Sequence, residues 1–201
     1  GSIDFAHEAY GALSKCVMGK DSKRALALRR AELFHRLGDE REALRLYQES
    51  FALDPRPGHA LSQIEALAAR LNDPASLAEA HLVLAEASDD ADVKTGLTMR
   101  AVATLESLGH TARATHLLHA LFEATNRLAI LPKLFSLLGT LDPSIQKTLL
   151  EDIVMKLADR VEGSWDFGDQ LRCLKFIVDA ELMRGDAEAA SAAANRAAEL
   201  A

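Results

Sequence analysis

The sequence predicts an all-α chain of antiparallel helical hairpins, and three observations carry that reading. Ala and Leu together make up about a third of the 201 residues, while aromatics are 5% and Gly (11) and Pro (5) are scarce. Ala and Leu form helices well and strands poorly. Apolar residues then recur at three- and four-residue intervals over almost the whole length, with no useful run of strict alternation. Finally, short breaks followed by a small residue return at a spacing of about 35 residues, the period of a helix–turn–helix repeat. A β-sandwich, a barrel, and a collagenous or disordered chain are excluded by the same composition.

Taken in order, Phe5, Ala9, Leu13, Cys16 and Val17 share one face of a helix over 4–19. Leu26, Arg30, Leu33 and Leu37, with Ala27, Ala31 and Phe34 beside them, do so over 22–37, Arg30 being the polar intruder. Gly38-Asp39 breaks the pattern, which Ala43, Leu46, Tyr47 and Leu53 resume over 39–53. Asp54-Pro55-Arg56-Pro57-Gly58 is a stronger stop. Leu61, Ile64, Ala68 and Leu71 mark a helix over 58–71, ended by Asn72-Asp73. Pro74 sits where a first turn tolerates it, and Ala78, Leu82 and Ala85 continue over 74–88. The same signals place helices over 91–108, 110–125, 128–139, 143–161, 168–184 and 186–200, about eleven in all. Linkers of a few residues force neighbours into hairpins. The connector Val161–Gly168 is longer and holds Trp165 and Phe167.

The breaks align. Leu37-Gly38-Asp39, Leu71-Asn72-Asp73, Leu108-Gly109-His110 and Arg184-Gly185-Asp186 are each followed by a small residue: Ala43, Ala78, Ala114 and Ala190. A small residue there lets two helices approach closely. The stretch Ala25–Pro57 resembles a tetratricopeptide repeat (TPR). Ala27, Ala31 and Phe34 match the first-helix packing set and Gly38-Asp39 the turn. Ala43, Tyr47 and Ser50 match the second-helix set, and Leu53-Asp54-Pro55 the closing signature. The stretches from Leu61, from Ala101 and around Gly185 match in part, and 128–161 keeps only the helix–turn–helix shape, with Thr148 where Ala is expected. The resemblance implies a right-handed superhelical solenoid, with 128–168 as its irregular part.

Gly1 and Ser2 read as the scar of a cleaved expression tag, leaving 3–201 as one solenoid segment of a longer protein, cut within a repeat at each end. The formal charge of −7 is distributed as +1 over 1–72, −5 over 73–125 and −3 over 126–201. No basic stripe exists to displace counterions from nucleic acid or to hold anionic lipid. No apolar run approaches a membrane span. Cys16 and Cys173 match no metal or redox spacing, and buried reduced thiols, compatible with a cytoplasmic compartment, are the expectation. The Ala/Arg/Leu-rich usage points to a bacterial genome.

Chemistry-bearing motifs are absent: no G-x-S-x-G, no phosphate loop, no H-E-x-x-H. His116, His119 and Glu123 share one helical face, yet the repeat register puts them on a solvated outer surface where a metal would lack supporting hydrogen bonds. His35 and Glu32 lack a third partner, and Cys173 reads as a packing thiol. No enzyme, cofactor or metal is therefore expected. What the resemblance implies is a groove lined by first helices: Leu28, Glu32, His35 and Arg36; His59, Ser62 and Arg70; Met99, Glu106 and Ser107; Arg172, Lys175 and Asp179. The family's clamp for a chaperone-tail carboxylate uses Lys, Asn and Arg, which Leu28 and Glu32 cannot replace. The expected function is a scaffold or adaptor binding a protein or peptide. The alternative is a ligand-sensing or regulatory module of a larger bacterial regulator or secretion apparatus. For Trp165 and Phe167 two placements compete: a plug filling the irregular hairpin, which is the expectation, or exposed anchors for a partner.

Overall fold

The computed structural model describes residues 2–201, apart from the side chains of 2–4, 6, 7, 14 and 15, so Gly1 lies outside the described residues. Among these residues there are eleven α-helices and no strand. They are α1 (Ser2–Cys16), α2 (Lys20–Arg36), α3 (Glu40–Leu53), α4 (His59–Leu71), α5 (Pro74–Ala87), α6 (Ala91–Ser107), α7 (Thr111–Thr125), α8 (Leu131–Leu138), α9 (Pro143–Gly163), α10 (Phe167–Arg184) and α11 (Ala187–Leu200). A 3-10 turn, Leu128–Ile130, leads into α8. The chain divides into two compact units, Gly1–Gly109 and His110–Ala201. Among the described residues no helix is long and apolar enough to cross a membrane.

Within the first unit, α2 packs on α3, α3 on α4 and α5 on α6. Phe34, Leu46, Tyr47, Phe51, Ile64 and Leu67 are the large side chains of its core, joined by Ala80, Leu84 and Leu97. Each such burial is worth about 1.5–3 kcal/mol relative to exposure. The aligned breaks share a left-handed residue. Gly38, Asn72 and Gly109 adopt positive φ of 83°, 52° and 77°. Asp39 N–H reaches back to the Phe34 carbonyl at 3.0 Å, and Asp73 N–H to that of Ala68 at 2.8 Å. Each Asp then caps the next helix, accepting from Glu42 N–H at 3.1 Å or Ser76 N–H at 3.2 Å. The helix end and the next helix start are thus satisfied within a few residues. Ala43 and Ala78, the small residues beyond the turns, are fully buried. Asp54 of the closing signature accepts from Arg24 at 2.7 Å, tying the end of α3 to the start of α2. Arg30, the polar intruder, is drawn to Glu42 at 3.9 Å.

The second unit repeats the device at Gly185 (φ 79°), where Asp186 N–H bonds the Glu181 carbonyl at 2.9 Å and the Asp186 carboxylate accepts from Ala189 at 2.9 Å. Here α9 packs on α10, α10 on α11 and α7 on α8. The stretch 128–161 is irregular. The eight-residue α8 makes at most slight backbone contact with the 21-residue α9 among the described residues. Thr148 is exposed and bonds back to Ser144, so no small residue mediates contact there.

Two expectations are corrected. Trp165 and Phe167 plug nothing: they are 98% and 68% exposed. Leu150, Ile153, Leu157, Val161, Cys173, Leu174 and Ile177 are already buried around that connector's helices. The connector itself is closed by polar bonds, the Gln170 amide donating to the Ser164 carbonyl at 2.6 Å and the Val161 carbonyl at 3.1 Å. Cys16 is exposed, because α1 ends there and packs only lightly on α2, whereas Cys173 is buried as expected.

Candidate functional site

Each unit carries an open groove built largely from the nominated first helices. In the first unit, Glu32, His35 and Arg36 of α2, Tyr47 of α3, and His59 and Gln63 of α4 line a groove of about 480 Å³. Positions 32, 35 and 36 share a face because they lie three and four residues apart. Tyr47 stands between two imidazoles, edge-on to His35 at 6.5 Å and to His59 at 6.0 Å between ring centres. Burial, then the nearby Glu32 charge, pushes the Tyr47 hydroxyl above the usual phenol range. Arg70 Nη2 lies 2.9 Å from His35 Nε2 and 3.2 Å from Glu40. An arginine only donates, so His35 accepts there and carries its proton on Nδ1. Glu32 faces His59 at 3.8 Å, and Arg36 donates to the Glu32 carbonyl at 3.4 Å.

The second groove, about 640 Å³, is more apolar. Pro132 and Phe135 of α8 meet Arg172, Lys175, Phe176, Asp179, Leu182 and Met183 of α10. Phe135 and Phe176 form its floor, edge-to-face at 6.0 Å. Lys175 and Asp179 stand one turn apart at the rim, neither with an ion-pair partner among the described residues. Arg172 is held partly by Asp169 at 3.5 Å.

The structure therefore brings together Glu32, His35, Arg36 and His59, with Arg70 beside them, and separately Arg172, Lys175 and Asp179. It leaves out Leu28, which packs against the core. Ser62, Met99, Glu106 and Ser107 line neither groove; Ser107 bonds back to the Thr104 carbonyl at 2.7 Å. Tyr47, Gln63, Phe135 and Phe176 escaped sequence reasoning because their apolar spacing reads as packing. Only the half-buried state of the two Phe side chains reveals a groove floor.

The His116, His119 and Glu123 face is solvated, as the register implied, at His116 and Glu123 but not at His119. His119 is half-buried, and burial pulls its imidazole below the ordinary histidine range. Glu123 is taken by Lys156 at 3.1 Å. Among the described residues no group of three His, Cys, Asp or Glu side chains is placed to hold a metal ion. Burial raises the Cys173 thiol, opposite to what a nucleophile needs.

No protein-family model and no curated protein matches the chain. Among solved structures it is similar to the crystal structure of BtubC (BKLC) from P. vanneervenii, with 20% identity and a TM-score of 0.40 over 99% of this chain and 88% of that one.

Proposed function

We propose that the chain is a tetratricopeptide-like scaffold that holds an extended segment of a partner protein in its first-helix grooves. One observation carries this reading. Side chains nominated by repeat register alone converge on an open groove in each unit, Glu32, His35, Arg36 and His59 in one and Arg172, Lys175 and Asp179 in the other. Open grooves with charged rims suit a peptide, whose side chains supply anchors and whose backbone supplies hydrogen bonds.

The test is selection of displayed random peptides on the immobilised chain, followed by calorimetry of the selected peptides in solution. Arg36→Glu or Lys175→Glu is expected to weaken binding about tenfold or more, as loss of a charged contact does. Peptides that bind both variants as tightly as the parent would overturn the assignment, as would a selection that yields none.

A further inference from the structure

The second groove has two unlike walls. From α8 come Pro132 and Phe135, which carry no charge. From α10 come Arg172, Lys175, Phe176, Asp179, Leu182 and Met183, recurring at three- and four-residue steps along one stripe. The lining charge therefore lies on the α10 side, and it is ordered along that helix: Arg172 and Lys175 first, then Asp179. Lys175 and Asp179 are exposed, and neither has an ion-pair partner among the described residues. They stand one turn apart without pairing with each other, and a base preceding an acid is the weaker orientation for such a pair. The Arg172 side chain is 65% exposed and shared with Asp169 only at 3.5 Å. The rim charges are thus available to an occupant, and their order gives the groove a polarity.

Phe135 and Phe176 are half-buried and edge-to-face at 6.0 Å, with the half-buried Met183 in the same lining. A third aromatic ring gains from this ring pair and from the thioether, more than an aliphatic side chain does. Four residues of helix rise about 6 Å. Two residues of extended chain rise about 6.6 Å with their side chains on one side and the side chain between them on the other. An extended segment along α10 can therefore set two charges against Lys175 and Asp179 while the residue between them turns toward Phe135.

We propose that the second groove selects an extended peptide core in which an aromatic residue stands between an acid and a base, an inference that rests on the peptide-binding reading above and names the peptide's chemistry. The acid meets Lys175 and Arg172, the base meets Asp179, and the ring covers the Phe135 and Phe176 floor. Because the groove fixes the backbone direction, one charge order along the peptide is favoured over its reverse.

The probes are short blocked peptides of Gly and Ser around a Glu-Phe-Lys, Lys-Phe-Glu, Glu-Leu-Lys or Lys-Leu-Glu centre. The readout is NMR of the methionine methyl groups, with Met183 reporting on this groove and Met18, Met99 and Met155 as controls. The expected result is a salt-sensitive shift at Met183 alone, with one Phe peptide bound about tenfold more tightly than its charge-reversed counterpart. Lys175→Asp combined with Asp179→Lys should reverse that preference. Both side chains are exposed, so helical circular dichroism should stay unchanged. The matching Leu peptide should bind about threefold or more weakly. Equal binding of both charge orders, a preference that the exchange leaves in place, or a Leu peptide as tight as its Phe counterpart overturns the proposal. So does a Met183 shift on raising protein concentration alone, which would give the groove to a second copy. Peptides from the random selection that move Met183 yet lack this core overturn it while the peptide-binding reading stands. A Met183 that answers no peptide overturns both for this groove.

Discussion

Arg160 grips Asp169 with two parallel hydrogen bonds, Nε to Oδ2 at 2.7 Å and Nη2 to Oδ1 at 2.8 Å. Its remaining Nη1 donates to the carbonyl of Asn126, the left-handed residue that ends α7. One guanidinium thus links the ends of three helices, and its hydrogen bonds hold the Asp169 carboxyl below the usual carboxylate range. The folded value lies below the unfolded one, so the stabilisation is complete above about pH 4 and is lost as pH falls through the folded value. Asp169→Asn is expected to cost about 2 kcal/mol in urea unfolding at neutral pH, less than a fully enclosed pair would because part of this one meets water. The gap between parent and variant should narrow in acid. A gap that stays constant would show that charge is not its cause.

Two imidazoles, His81 buried and His119 half-buried, set a second pH dependence. His81 Nδ1 and His119 Nε2 have no hydrogen-bond partner, and burial lowers both groups below the ordinary value. The unfolded chain therefore takes up protons first, from about pH 6.5 downward, and stability should fall between there and the folded values. Melting temperatures at about pH 7.5 and about pH 5 should differ, and His81→Leu should reduce the difference.

At Gly38 the cost of a side chain is purely conformational. Its φ is 83° and an added Cβ would meet nothing within 4 Å. Gly38→Ala should destabilise by about 1 kcal/mol or more, the left-handed penalty. Gly96→Ala, in the exposed middle of α6 with equally open space, should stabilise by about 0.5–1 kcal/mol. Denaturant midpoints moving the same way for both would contradict the turn assignment.

Ala43 and Thr148 occupy equivalent places in the repeat register but not in space. Ala43 is wholly buried where α3 meets its neighbours, so Ala43→Leu should cost about 1–3 kcal/mol through overpacking. Thr148 is exposed, and Thr148→Leu should stay within about 0.5 kcal/mol of the parent. Thermal unfolding of the two variants separates them.

Trp165→Ala should leave the melting temperature unchanged, because an exposed side chain contributes within about 0.5 kcal/mol. A drop equivalent to about 3 kcal/mol, the cost of an aromatic truncated in a core, would place the indole inside after all.

Local chemistry made most of the fold legible. The Gly38, Asn72, Gly109 and Gly185 breaks all have positive φ, and Ala43, Ala78, Ala114 and Ala190 beyond them are buried. Helix ends differ from the expected ones by a few residues at most, as at Cys16 and Gly163. What failed was compensation at a distance. Nothing in the sequence marks Gln170 as the group that closes the Val161–Gly168 connector, so an aromatic plug looked necessary. Part of the groove rim was readable from register, but the half-exposed Phe135 and Phe176 surfaces were not, because a period records which way a side chain points and not how far its neighbours leave it uncovered.

The Asp-capped turns also bear on folding kinetics. Asp39, Asp73 and Asp186 each close their reversal with bonds reaching only five residues back and three forward. The reversal is therefore settled before any distant segment has to be found, and little loop-closure entropy opposes it. Topologies dominated by such short-range pairing cross their barrier quickly, and a hairpin can nucleate wherever its turn forms first. A chain of this kind has several starting points rather than one nucleus, and weakening a single turn should slow one route while leaving the others open.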